Sequence, residues 1–113
     1  MARKTAEPKP QSRSGRLPRV VRIVALAIRL DALVREGVVA DYADVARLGH
    51  VTRARVTQIM NLLHLAPDIQ EAILFLPEIT DGRDPIREGA VRSIAAVFDW
   101  RKQRRMWKAL TQH

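Results

Sequence analysis

The chain of 113 residues contains no cysteine. That excludes a disulfide scaffold, a cysteine-containing zinc finger, an iron–sulfur site and a cysteine nucleophile, and it fits a reducing compartment. Aromatic residues are 4% of the chain and the five glycines are dispersed, so no glycine-rich phosphate loop is present. Long apolar runs are also missing. The longest strongly apolar stretch, 20–34, is interrupted by Arg22, Arg29 and Asp31, so no membrane-spanning helix is expected. No short apolar segment with a small-residue cleavage site follows the basic N-terminus. The chain therefore reads as soluble and cytoplasmic, with no membrane partner. What it has is Val, Ile, Leu and Ala: hydrophobic residues make up 47%, enough for the core of a small helical domain.

The formal net charge is +8, and it is concentrated at the two ends. Residues 1–19 carry Arg3, Lys4, Lys9, Arg13, Arg16 and Arg19 against Glu7 alone. Residues 101–113 carry Arg101, Lys102, Arg104, Arg105 and Lys108 with no acid. Between them the chain is close to neutral. Nucleic acid is the first partner to consider, since Lys and Arg that displace counterions from phosphates gain affinity without reading sequence. A solvated basic tail and helix face would give the same composition.

Periodicity predicts an all-α fold of five or six helices behind a flexible basic arm. Pro8, Pro10, Pro18, Gly15 and the serines, with few apolar residues, put the arm at 1–18. The domain then spans 19–113. Val20, Ile23, Val24, Ala27, Leu30 and Val34 recur at three and four residues and predict a helix over 19–36; Val21, Ile28 and Leu33 widen its buried stripe. Gly37 suits its C-terminal cap. Asp41 caps a short helix to Leu48, and Thr52 caps a longer one to Leu65, whose apolar positions are Val56, Ile59, Met60 and Leu63. Pro67 opens a helix to Leu76. Asp84 and Pro85 open another to Phe98, and Asp99 caps the last, 100–110.

The stretch 42–65 carries the most information. Val45 and Ala46, then Val51, then Val56 and Ile59 have the spacing of a helix–turn–helix, in which a small residue lets the second helix approach. The same pattern leaves Arg53, Ala54, Thr57, Gln58 and Asn61 on the outer face, suited to base edges: Arg for guanine, Gln or Asn for adenine. Thr52 and Arg55, at the flank, suit phosphates. Arg16, Arg19, Arg101, Lys102, Arg104 and Arg105 are further candidate phosphate contacts from the arm and the last helix. In the usual pattern the turn glycine follows the small alanine by four residues. Here Gly49 follows Ala46 by three and His50 takes the expected place, which predicts a turn one residue out of register.

Residues 43–63, Ala-Asp-Val-Ala-Arg-Leu-Gly-His-Val-Thr-Arg-Ala-Arg-Val-Thr-Gln-Ile-Met-Asn-Leu-Leu, resemble the helix–turn–helix of ParB/KorB-type partition proteins. The continuation to Ala72 looks like that family's segment after the recognition helix, and the resemblance extends over about 38–98. It implies that Thr52, Arg53, Arg55, Thr57, Gln58 and Asn61 lie on the DNA-facing helix. The family's nucleotide-binding domain and arginine-rich box have no counterpart here, only a short basic arm, and no separate C-terminal dimerisation domain follows. The CTP-dependent clamp activity that the family implies is therefore not expected. The ending 99–107 is also similar to small helix–turn–helix proteins encoded beside recombinases on mobile elements.

Catalysis finds little support. His50, His64 and His113 belong to no metal-ligand motif, no cofactor is implied, and Ser12, Ser14 and Ser93 lack a His/Asp pattern. Asp41 and Asp44 are explained by capping. The expected function is non-enzymatic: sequence-specific binding of double-stranded DNA, as a nucleoid-associated transcriptional regulator or a site-recognition factor of a plasmid or mobile element, with a homodimer to read two half-sites. The alternative is an adaptor that docks a recombinase, polymerase or other protein. Trp100 and Trp107, seven apart on one helix face, either seal the last helix onto the core or form that partner surface.

Overall fold

The computed structural model describes residues 15–112; the expected arm over 1–14 and His113 lie outside them. The described residues form an all-α domain of six helices: α1 (Arg19–Arg35), α2 (Tyr42–Gly49), α3 (Arg53–Met60), α4 (Pro67–Leu74), α5 (Glu88–Ala95) and α6 (Trp100–Thr111). No helix among them is long and apolar enough to cross a membrane.

Helix α1 is the centre of the packing. Val20, Val21, Ile23, Val24 and Ala27 are buried against α3, α4 and α5. The helix emerges from the core toward its end, so Ile28, expected inside, is exposed, and Leu33 is only half-buried. It stops where Gly37 takes a φ of 78°. The Val38 N–H then reaches back to the Leu33 carbonyl at 3.0 Å and Gly37 to Val34 at 3.1 Å, a Schellman closure.

The start of α1 corrects two expectations. Residues 15–18 are not a free arm: Arg16 pairs with Ile79 in an isolated antiparallel bridge, and Pro18 is buried. Gly15 is needed there, because a Cβ would fall 2.6 Å from Cβ of Glu78. Asp84 does not cap the following helix. It accepts from the Arg19 N–H at 2.9 Å and so caps α1 across the fold. The segment 85–87, expected to be helical, stays outside α5 and delivers the buried Ile86 to the core.

The second and third helices follow their local signals. Asp41 accepts from the Asp44 N–H at 2.9 Å, and Thr52 Oγ1 from the Arg55 N–H at 3.0 Å. The α-helix expected to reach Leu65 ends at Met60 and tightens into a 3₁₀ turn, Asn61–His64. Two neighbours explain this. Three-residue spacing aligns Leu62 with Leu65, both fully buried. Ala66 precedes Pro67 and must be extended (φ −54°, ψ 142°). Helix α4 ends at Leu74 rather than Leu76, short of Pro77, for the same steric reason.

Gln103 fixes the last helix. It is fully buried, accepts from the Ala66 N–H at 2.8 Å, and donates to the carbonyls of Val97 at 2.7 Å and His64 at 3.2 Å. One amide thus satisfies the Ala66 N–H and the Val97 carbonyl, which would otherwise be desolvated without partners, and adds a donor to the His64 carbonyl. Asp99 caps α6 as expected, accepting from the Arg101 N–H at 2.9 Å.

Candidate nucleic-acid interface

Helices α2 and α3 pack against one another across the turn His50-Val51-Thr52. The residue in left-handed geometry is His50, with φ 56°. The Val51 N–H closes on the Ala46 carbonyl at 3.1 Å. Gly49 is the last residue of α2. The expected slip of register does not occur: the turn falls four residues after Ala46, with histidine in the strained position. Asn, Asp and His tolerate that conformation better than other side chains.

On α3, Val56, Ile59 and Met60 turn inward. Ala54, Thr57, Gln58 and Asn61 are exposed together on the opposite side. Arg53 is exposed but lies toward α2, where it lines a shallow cleft with Val34, Asp41 and Tyr42. Gln58 and Asn61 line a second cleft of about 380 Å³, walled by His64, Arg92, Ala95 and Phe98. Thr52 is exposed at the start of α3, its Oγ1 occupied by the cap.

Arg55 departs from the expected role of a simple phosphate contact. Its Nη1 and Nη2 donate to the two carboxylate oxygens of Glu88 at 2.6 and 2.9 Å, and Nη1 also reaches Gln58 Oε1 at 3.1 Å. The side chain is a brace between α3 and α5. Glu88 is nearly buried and also faces Arg92 at 3.4 Å and Arg19 at 3.9 Å. These donors, Arg55 first and then the charges of Arg92 and Arg19, hold its carboxyl below the usual range against the opposing effect of burial. The same hydrogen bond raises the Arg55 pKa above its ordinary value.

Two more expected phosphate contacts have internal partners. Arg16 pairs with Asp84, and Arg104 forms a fork with Asp68 at 2.9 and 3.0 Å. Arg101, Lys102 and Arg105 are exposed and form no ion pair among the described residues. Of the tryptophans, Trp107 packs on the core, whereas Trp100 is 46% exposed and donates its indole N–H to the His64 carbonyl at 3.3 Å. The two therefore differ, although they share a helix face.

Sequence reasoning did not single out Glu88, Arg22, Phe98 or the buried amide of Gln103. Phe98, the expected end of the fifth helix, is 91% exposed and lies beyond the end of α5 at Ala95. Gln103 stood on the apolar side of α6, and a lone amide in such a stripe is the signal that could have found it. Compared with known proteins, the chain matches no family model, no curated protein and no solved structure.

Proposed function

We propose that the protein is a non-enzymatic, sequence-specific binder of double-stranded DNA that reads the major groove with α3. The observation that carries this reading is the outer face of α3. Ala54, Thr57 and Gln58, with Asn61 at the start of the 3₁₀ turn that continues it, stand exposed on a short helix that α2 supports through a turn in helix–turn–helix register. Such a helix fits the major groove of B-DNA, and Gln and Asn offer paired donors and acceptors to adenine. Arg53 extends the face on the α2 side. Arg101, Lys102 and Arg105 supply unpaired positive charge for the backbone. Regulation of transcription, or site recognition for a plasmid or mobile element, are the roles this chemistry serves. The resemblance of 43–63 to ParB/KorB-type proteins supports the same reading, and a homodimer would supply the second half-site.

The test is retention of fragmented genomic DNA by the purified protein at about 150 mM salt, near physiological, followed by sequencing. An enriched motif is expected, and its symmetry reports the number of copies bound. Uniform retention that disappears as salt rises would contradict sequence reading. A second reading, an adaptor that docks a recombinase or polymerase, is favoured by Phe98 and Trp100, two exposed aromatics close together in the chain. A protein partner lost on Phe98→Ala, with no DNA retained, is the result that would favour it.

A further inference from the structure

Between α1 and α3 lies an open cleft of about 310 Å³ lined by the buried Ile23 and Ile59, the exposed Leu26, and Arg19, Arg22 and Arg55. We propose that this cleft is a phosphate site that seats one backbone phosphodiester of DNA at the flank of the α3 reading face. The proposal rests on the DNA reading above and adds to it a site, a ligand group and a residue, Arg22.

The charges around the cleft do not cancel. Glu88 is shared among Arg55, Arg92 and Arg19, and Asp84 is taken by the Arg16 side chain and the Arg19 backbone N–H. Arg22 lies close enough to Asp84 for its charge to lower that carboxyl's pKa, though less than Arg19 and Arg16 do. It forms no ion pair or side-chain hydrogen bond among the described residues and is exposed. Five guanidiniums therefore face two carboxylates, and Arg22 keeps its whole donor fork free. That planar fork matches two phosphate oxygens. Ile23 and Ile59, both buried, form a low-dielectric wall on one side of the cleft, which strengthens the attraction there.

Position supports the same assignment. Arg55 Nη1 donates to Gln58 Oε1 at 3.1 Å, so the cleft begins where the reading face ends. A helix seated in the major groove has a phosphate strand along each flank, and α1 lies along the flank that carries Arg55. Glu88 holds Arg55 at the rim rather than letting it swing toward the bases.

The experiment measures DNA binding by the full chain across a salt series, for wild type, Arg22→Gln and Arg22→Lys, on the retained sequence and on a mixed-sequence duplex. Loss of one phosphate contact lowers the slope of log K against log salt by about 0.9. The expected result for Arg22→Gln is a slope lower by about 1 and a roughly five- to tenfold loss of affinity near 150 mM salt, similar on both duplexes. Arg22→Lys is expected to recover the slope. An unchanged slope in Arg22→Gln, with the wild-type melting temperature, overturns the site. Should the wild type bind neither duplex, inorganic phosphate is titrated at constant ionic strength while the arginine Nε–H resonances are followed. Saturable movement of Arg22 and Arg19 then upholds the phosphate site and refutes only the DNA reading. No movement refutes the site as well.

Discussion

Arg55 and Glu88, 33 positions apart, meet through two parallel hydrogen bonds of 2.6 and 2.9 Å. That fork ties the helix proposed to read DNA to the first turn of α5. It adds a polar tie to the burial of Val56, Ile59 and Met60, which turns the opposite side of α3 outward. Its removal leaves a half-buried guanidinium without a counter-charge.

Glu88→Gln is expected to destabilise the fold by about 2 kcal/mol at neutral pH, since one partner of a poorly solvated ion pair is lost. The pH dependence has a definite sign. A carboxyl whose folded pKa is depressed contributes stability that is present above its unfolded value, about 4.3 for Glu. That contribution is lost as pH falls through the lower folded value. The difference between denaturant melts of wild type and variant should therefore begin to shrink as pH falls below about 4.3 and close only below the lowered folded value. A constant difference across pH would show that the ion pair is not its source.

His50→Gly should stabilise the protein by about 1 kcal/mol, because the left-handed geometry penalises a Cβ by about that amount. Part of the gain is offset by the larger unfolded-state entropy of glycine. Thermal melts decide this, and a lower midpoint would mean that the imidazole makes a compensating contact. DNA affinity should change little.

Gln103→Leu conserves shape roughly but strands the Ala66 N–H and the Val97 carbonyl, while the His64 carbonyl keeps the Trp100 indole N–H. With about 1–3 kcal/mol for each buried group left unpaired, a loss of roughly 2–4 kcal/mol is expected, given partial access to water. Chemical denaturation measures it. A neutral effect would show that water reaches both groups.

Trp107→Ala and Phe98→Ala should separate core from surface. Trp107 packs on the core and its truncation should cost roughly 2–4 kcal/mol, somewhat less than a fully buried tryptophan. Phe98, 91% exposed, should be within about 0.5 kcal/mol of wild type. Equal losses in the two variants would contradict the packing described.

What was legible in the sequence was what is local. Asp41, Thr52 and Asp99 cap the helices they precede because a cap needs only the next two or three N–H groups. The apolar faces of the first half of α1 and of α3 followed from spacing, but Ile28, expected inside, is exposed. Pro67 was placed correctly for the same reason. Asp84 looked equally like a cap for the helix after it, but the Arg19 N–H from a distant segment won the carboxylate. Arg55 looked like a surface cation because nothing within a few residues reveals Glu88. The early end of α3 required knowing that Leu62 and Leu65 must both face the core. Long-range pairing decides each of these cases, and a single sequence carries no direct record of it.

The DNA reading stands or falls with Gln58, on the outer face of α3, and Asn61, at the turn that continues it, as the residues that read bases. The most direct measurement compares the genomic fragments retained at about 150 mM salt by the wild type with those retained by a Gln58→Ala/Asn61→Ala variant. An enriched motif is expected for the wild type and, for the variant, loss of that motif with its melting temperature kept. Each lost base contact should cost about 1–3 kcal/mol. An identical motif retained by the variant, or none by the wild type, would contradict it.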